Sequence, residues 1–503
     1  MFSCVRVLYM INPIVSFGNT KTSIFYINDY HGKSINMERT VSASKVFDNL
    51  NKSTGTDTLK LSSGDIMLGE DLNINKASIL FQNFIGINSS AVGNHEHDIQ
   101  SNASKVLPYV KYDLLSNNVK IKPGNPWCSI IKPSVVKEIN GHKYGIIGTT
   151  PIDLFTRSKL GPLQKELSVD DAKTTLEDIQ SEVNKLQAQG INKIILLSHL
   201  GNKLEKMVAQ MTTGIDVILG GHSHELIKGI KEGENLLFSK SGEPVVITQA
   251  GKDGKNFGIL NLEFDNNGVI KKVQNNVGET KKFHRDMPVK YIFDKLFTNN
   301  KIYGIINSAP PEPEKYLISP NPHGYFIADC MRNDTNSEIA LIQSANLRGY
   351  FEKGQLDERI INDIMPFKNE LYKVKYSEKE IVEAIKFASE NSFKSSANKP
   401  GIFYTSGLSY TISDKGELLS MEFVDDKGNK TPIDINNPRT DRYYITVIND
   451  YCAQGNDKFS MLNHPERIIE KTGFDAVKSI ERVVEKSNSK IDIKDDGRIK
   501  IIS

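Results

Sequence analysis

Short apolar runs recur through the first half of the chain, and polar residues close most of them. Ile24 to Ile27 leads into Asn28 and Asp29. Thr58 to Leu61 leads into Ser63, Gly64 and Asp65, and Ala91-Val92 leads into Gly93, Asn94 and His95. Tyr144 to Thr149 is a further run. Ile194 to Leu197 ends at Ser198-His199, Val217 to Leu219 at Gly220-Gly221-His222-Ser223-His224, and Val245 to Thr248 stops before Gly251 and Gly254. These runs, bounded by polar residues and glycine, are candidate buried strands, though Ala91-Val92 and Val217 to Leu219 are short for one. Ala172, Leu176, Ile179, Val183 and Leu186 recur at spacings of four and three instead, which predicts an amphipathic helix closed by Gly190. Strands alternating with helices predict layered α/β architecture. In such sheets the strand ends are where loops converge and sites form.

The pattern changes past about residue 285. Pro310-Pro311-Glu312-Pro313 and Pro320-Asn321-Pro322 interrupt any regular element, so a linker is expected over 286–320. A second domain is expected over 321–500. Within it Ser377 and Glu380, placed before Ile381, Ile385 and Ala388, have the spacing of a capping box opening a helix. Tyr443 to Ile448 predicts a strand.

Composition narrows the picture slightly. At 503 residues the chain needs two large domains or roughly three ordinary ones. Hydrophobic content of 38% and charged content of 25% are those of a globular protein. A formal charge of +2 gives no reason to expect a nucleic-acid polymer or a membrane surface as partner. Cys4, Cys128, Cys330 and Cys452 contain no Cys-x-x-Cys pair and are expected as buried free thiols. No apolar run reaches the length of a membrane-spanning helix. Residues 1–21 are expected to be an N-terminal extension or a degenerate signal segment, and the latter points to a periplasmic or secreted location.

The strand ends hold the candidate chemistry. Six of the ten histidines (His31, His95, His97, His199, His222 and His224) lie there, with Asp29, Asp65, Asn94 and Asp98. Mixed Asp and His sets suit divalent Zn, Mn, Fe or Co. Asp29-x-His31 and His222-x-His224 have the period of an extended strand and would share one face if the backbone there is regular. One carboxylate such as Asp65 can bridge two ions ~3.5–4 Å apart. His97 is expected to flank the group without ligating.

Taken in order, Asp29-x-His31, Gly64-Asp65-x-x-x-Gly69, Gly93-Asn94-His95-Glu96, His199 and Gly221-His222-x-His224 resemble the blocks of the calcineurin-like metallophosphoesterases. Asp98, three residues past His95, narrows the resemblance to the two-domain 5′-nucleotidase family. It implies an N-terminal four-layer α/β/β/α sandwich over 22–285, with a second α/β substrate-binding domain. It also implies two divalent ions, Zn, Mn or Co. Asp29, His31, Asp65 and His224 would hold one, and Asp65, Asn94, His199 and His222 the other. His95 and Asp98 would be the catalytic dyad, and water would attack phosphorus in line. His97 departs from the family, which usually has Phe there.

The second half carries the resemblance on Ala328-Asp329-Cys330-Met331-Arg332, Asn346-Leu347-Arg348 and Pro366-Phe367-Lys368-Asn369. It places Arg348 at a phosphate-contacting arginine. Phe403 and Tyr451 fall at the two rings that sandwich a base, and Asp457 at a ribose-contacting carboxylate. Asn346-Leu347-Arg348 and Gly455-Asn456-Asp457 both depart from the family's glycine-rich versions. The implied reaction is hydrolysis of nucleoside 5′-monophosphates by a monomer or loose dimer. Alternatives are 2′,3′-cyclic-nucleotide or UDP-sugar hydrolysis, and a nucleotide-binding surface protein without catalysis.

Overall fold

The computed structural model describes residues 20–502, apart from 70, 159, 161–164, 298–300, 312, 314, 316, 395–399 and 487–489. Cys4 and nearly all of the expected 1–21 segment lie outside the described residues. The chain divides into two units between residues 298 and 299.

The N-terminal unit is built on two sheets. The first has seven strands in the order Ile270–Glu279, Asn256–Phe264, Thr20–Ile27, Asp57–Ser62, Ser89–Ala91, Asp113–Leu115 and Ile131–Lys132. The second has six, in the order Leu236–Phe238, Pro244–Thr248, Val217–Leu219, Ile194–Ser198, His142–Thr149 and Ser134–Ile139. Side chains alternate across each strand, and both faces are covered. Ile24, Tyr26, Leu59 and Leu61 pack with Tyr144, Ile146, Ile195, Leu197, Val217 and Val246, which makes the core between the sheets. On its other face the first sheet sends Phe25 and Ile27 against Met37, Val41, Phe47, Ile79 and Phe81 of the helices Ser34–Asn51 and Leu72–Ile85. The second sends Ile147, Ile194, Leu196 and Ile218 against Ile179, Val183, Leu186 and Val208 of Ala172–Ala188 and Asn202–Met211. The layers are therefore helix, sheet, sheet, helix.

The helix expected from the spacing at 172–186 spans Ala172–Ala188, with the Asp171 side chain accepting from Thr174 N–H. Gly190 follows it with φ +77°. The expected linker 286–320 holds regular structure. Met287–Leu296 is a helix capped by Asp286, and its Val289 and Phe293 are buried in the first core. Ile302–Ser308 is a strand.

The C-terminal unit has a five-stranded sheet in the order Phe403–Ser406, Ile339–Gln343, Tyr443–Asn449, Glu370–Ser377 and Ile468–Asp475. Four-stranded and three-stranded sheets accompany it. The helix Glu378–Phe393 opens with the expected capping box between Ser377 and Glu380. Cys330 and Cys452 are buried free thiols, whereas Cys128 is exposed.

Candidate active site

The expected residues of the N-terminal unit converge. Asp29 follows the strand Thr20–Ile27, Asp65 follows Asp57–Ser62, and Asn94 with His95 follows Ser89–Ala91. Those three strands are parallel neighbours in the first sheet. His199 follows Ile194–Ser198, and His222 with His224 follows Val217–Leu219, parallel neighbours in the second. Three groups have their ligand atoms within 4.8 Å of one another: Asp29, His31 and His224; His31, Asp65 and His95; Asp65, His199 and His222.

The expected period-two geometry of Asp29-x-His31 and His222-x-His224 is not what unites them. Asp29, His31, Asp65, His222 and His224 have φ between +48° and +69°, in the left-handed region that non-glycine residues rarely occupy. Each side chain is thrown inward by a turn rather than by a pleat. Backbone hydrogen bonds hold the turns: Asp29 N–H donates to Gly64 O at 2.9 Å and His31 N–H to Asp65 O at 3.0 Å. Such strain gathers at sites. Glycine is required beside them, since a Cβ on Gly93 would lie 2.2 Å from Asp65 Oδ1 and one on Gly221 would lie 2.7 Å from His199 Nδ1.

Three imidazoles have one nitrogen tied outward and the other aimed into the cluster. His199 Nδ1 donates to Ser63 O at 2.5 Å. That leaves an unpartnered Nε2 lone pair 3.0 Å from Asp65 Oδ2. His31 Nδ1 lies 3.1 Å from Asp253 Oδ1, with Nε2 at 3.7 Å from Asp65 Oδ2. His222 Nε2 lies 3.1 Å from Asp153 Oδ1, with Nδ1 at 3.1 Å from Asn94 Oδ1. Lone pairs facing lone pairs at these distances repel unless a metal ion or, in its absence, a ring proton lies between them. The donor set therefore fits divalent metal. The same excess of buried negative charge marks the titration. Burial opposes protonation of His199 and His31, yet carboxylates, Asp65 and Asp29 for His199 and Asp253 and Asp65 for His31, push their pKa values up to about 10 and about 9.

His95 stands at the rim, its Nδ1 2.6 Å from Asp98 Oδ2. The same oxygen accepts from Gly69 N–H at 3.2 Å. His97 flanks the site as expected: it is fully buried against Trp127, with ring centroids 5.2 Å apart.

Sequence reasoning passed over three acidic residues. Asp253 and Asp153 orient His31 and His222. Glu96, 2% exposed, accepts from the backbone N–H groups of Asp65, Ile66 and Gly93, each at 2.8 Å, and so ties its own loop to the one that carries Asp65. Its place inside Gly93-Asn94-His95-Glu96 was the one available signal.

In the C-terminal unit Arg348 is partly exposed, and its guanidinium lies over the Phe367 ring at 5.2 Å. Its Nε is buried without a hydrogen-bond partner. Tyr451 is 38% exposed and donates to Asp457 Oδ1 at 3.0 Å. Phe403 corrects the expectation of two stacking rings. It is 0% exposed and packed against Phe459 at 5.1 Å, so it has no open face for a base.

Residues 22–226 match the calcineurin-like phosphoesterase family, and residues 314–464 match the 5′-nucleotidase C-terminal domain. Fold and site thus define a metal-dependent phosphoric-ester hydrolase of the calcineurin-like class. With its second match, the chain belongs to the two-domain 5′-nucleotidase family. A probable 5′-nucleotidase of Treponema pallidum is 25% identical over 81% of this chain and 79% of that protein. The trifunctional nucleotide phosphoesterase protein YfkN of Bacillus subtilis is 25% identical over 89% of this chain, which spans only 33% of that protein's length. The fold is shared with a 5′-nucleotidase precursor from Thermus thermophilus, with TM-score 0.71 at 23% identity over 96% of this chain and 99% of that one. Among the described residues no helix is long and apolar enough to cross a membrane.

Proposed function

We propose that this hydrolase releases phosphate from nucleoside 5′-monophosphates with the help of two bound divalent ions. Asp29, His31, Asp65 and His224 would hold one ion, and Asp65, Asn94, His199 and His222 the other. When bound, the ions supply positive charge against the phosphate oxygens and make a water acidic enough to attack at neutral pH. His95 stands at the rim with its Nδ1 held by Asp98, which leaves Nε2 free; with both nitrogens protonated, the ring donates from Nε2 to a phosphate or leaving-group oxygen. Arg348 offers a planar fork to phosphate, Tyr451 one stacking face and Asp457 an acceptor for ribose hydroxyls. The observation that carries the reading is the set of imidazole lone pairs converging on Asp29 and Asp65. Similarity to the probable 5′-nucleotidase of Treponema pallidum supports the substrate class. An extracytoplasmic location belongs to the same reading, and cell fractionation tests it.

The decisive experiment strips the protein with chelator, restores Mn2+ or Co2+, and measures hydrolysis of AMP, UMP, UDP-glucose, 2′,3′-cyclic AMP and bis-p-nitrophenyl phosphate. AMP is expected to be the best substrate. No hydrolysis of any with any divalent ion overturns the enzymatic reading, and faster hydrolysis of the cyclic diester overturns the substrate assignment. His95→Ala should lower turnover by about 10²–10⁴-fold with ion content unchanged.

A further inference from the structure

We propose that Asp153 is a positioning residue for the ion held by Asn94, His199 and His222, a role that rests on the two-ion reading above. Asp153 lies just past the end of the strand His142–Thr149, which pairs in parallel with the strand carrying His199. It stands at the start of the short helix Leu154–Arg157, where an aspartate ordinarily caps the backbone, yet its side chain makes no cap hydrogen bond. The carboxylate is turned to His222 instead, with Oδ1 3.1 Å and Oδ2 3.4 Å from Nε2.

That contact decides which nitrogen of His222 can ligate. An ionised carboxylate only accepts, so Nε2 carries the ring proton and Nδ1 keeps its lone pair. Nδ1 then faces Asn94 Oδ1 at 3.1 Å, two lone-pair donors set side by side. Arg157 Nε donates to Oδ2 at 3.0 Å, which keeps the carboxylate from swinging to solvent. The same turn reaches the second member of the pair, because Ser158 Oγ donates to the Asn94 carbonyl at 2.8 Å. Residues 153–158 therefore brace both Asn94 and His222.

The other two oriented imidazoles use buried partners, Ser63 O for His199 and Asp253 for His31. Asp153 is 37% exposed and can be changed without opening the core. Outer partners of this kind contribute to affinity by setting the ring's tautomer and direction.

Calorimetric titration of Mn2+ into the chelator-stripped full-length protein tests the role. Wild type should take up two ions. Asp153→Ala should weaken one of them by about 10–100-fold and leave the other unchanged. Asp153→Glu should restore it to within a few-fold, and Ser158→Ala should weaken the same ion. These last two carry the test should Asp153→Ala fail to fold. Equal affinities in wild type and Asp153→Ala, or equal weakening of both ions, would overturn the role of Asp153 alone. A single ion in wild type would overturn the two-ion reading and this inference with it.

Discussion

His97 shows how much one residue can cost. Neither ring nitrogen has a hydrogen-bond partner among the described residues, and neither does Trp127 Nε1 beside it. Burial pushes its pKa down to about 4. A histidine with a folded value below its unfolded value of about 6.5 contributes no penalty above pH 6.5, and stability is lost as pH falls from there toward 4. Between pH 7.5 and 5 the loss is about 2 kcal/mol. His97→Phe restores an apolar ring, so urea unfolding should show it more stable at neutral pH, by about 1 kcal/mol or more. Its stability should also fall less between pH 7.5 and 5 than that of wild type. The cluster around Asp65 was legible at this scale because Asp, Asn and His at strand ends are few and chemically distinctive. Asp153 and Asp253 were not. Acidic residues in loops are common, and the partners of these two lie 69 and 222 positions away in the chain. Phe403 was misread because a motif gives the place of a ring and says nothing of which face the core covers.

Among elements, the loops after two neighbouring strands of the first sheet, Asp57–Ser62 and Ser89–Ala91, depend on Glu96. Its Oε1 accepts from Ile66 and Met67, and its Oε2 from Asp65 and Gly93. Glu96→Gln turns one acceptor into a donor facing two N–H groups, whichever way the amide lies. A buried unsatisfied N–H costs about 1–3 kcal/mol, so denaturant unfolding should register a loss of at least that size. Metal uptake should fall in parallel, since the same bonds place Asp65. The elements themselves were largely visible in the hydrophobic pattern. The helix Met287–Leu296 was not, because the prolines at 310–322 drew the whole region into one irregular reading. Its own start carries the expected signals, Asp286 as cap and Pro288 in the first turn. Its buried Val289 and Phe293 lie four apart.

Over the whole molecule, the chain separates its roles into two units. The residues proposed to hold metal all lie before 298, and Arg348, Tyr451 and Asp457, proposed to meet substrate, all lie after it. Chelation should therefore destabilise the N-terminal unit. An ion present at a hundredfold excess over its Kd adds about 2.7 kcal/mol, and differential scanning calorimetry with chelator and then with Mn2+ should show that increment removed and restored. Layered α/β architecture was legible because apolar runs alternating with helical spacing admit few other arrangements, whereas the two-sheet sandwich came only with the family resemblance.

The left-handed turns beneath Asp29, His31, Asp65, His222 and His224 bear on how a cation would be exchanged. Their main-chain bonds already hold the donors in place, which leaves the polypeptide little rearrangement to make on loading. Replacement of one metal by another should then be paced by how fast each ion sheds its hydration shell, and the order of uptake rates among Co2+, Mn2+ and Ni2+ should follow their solution water-exchange order.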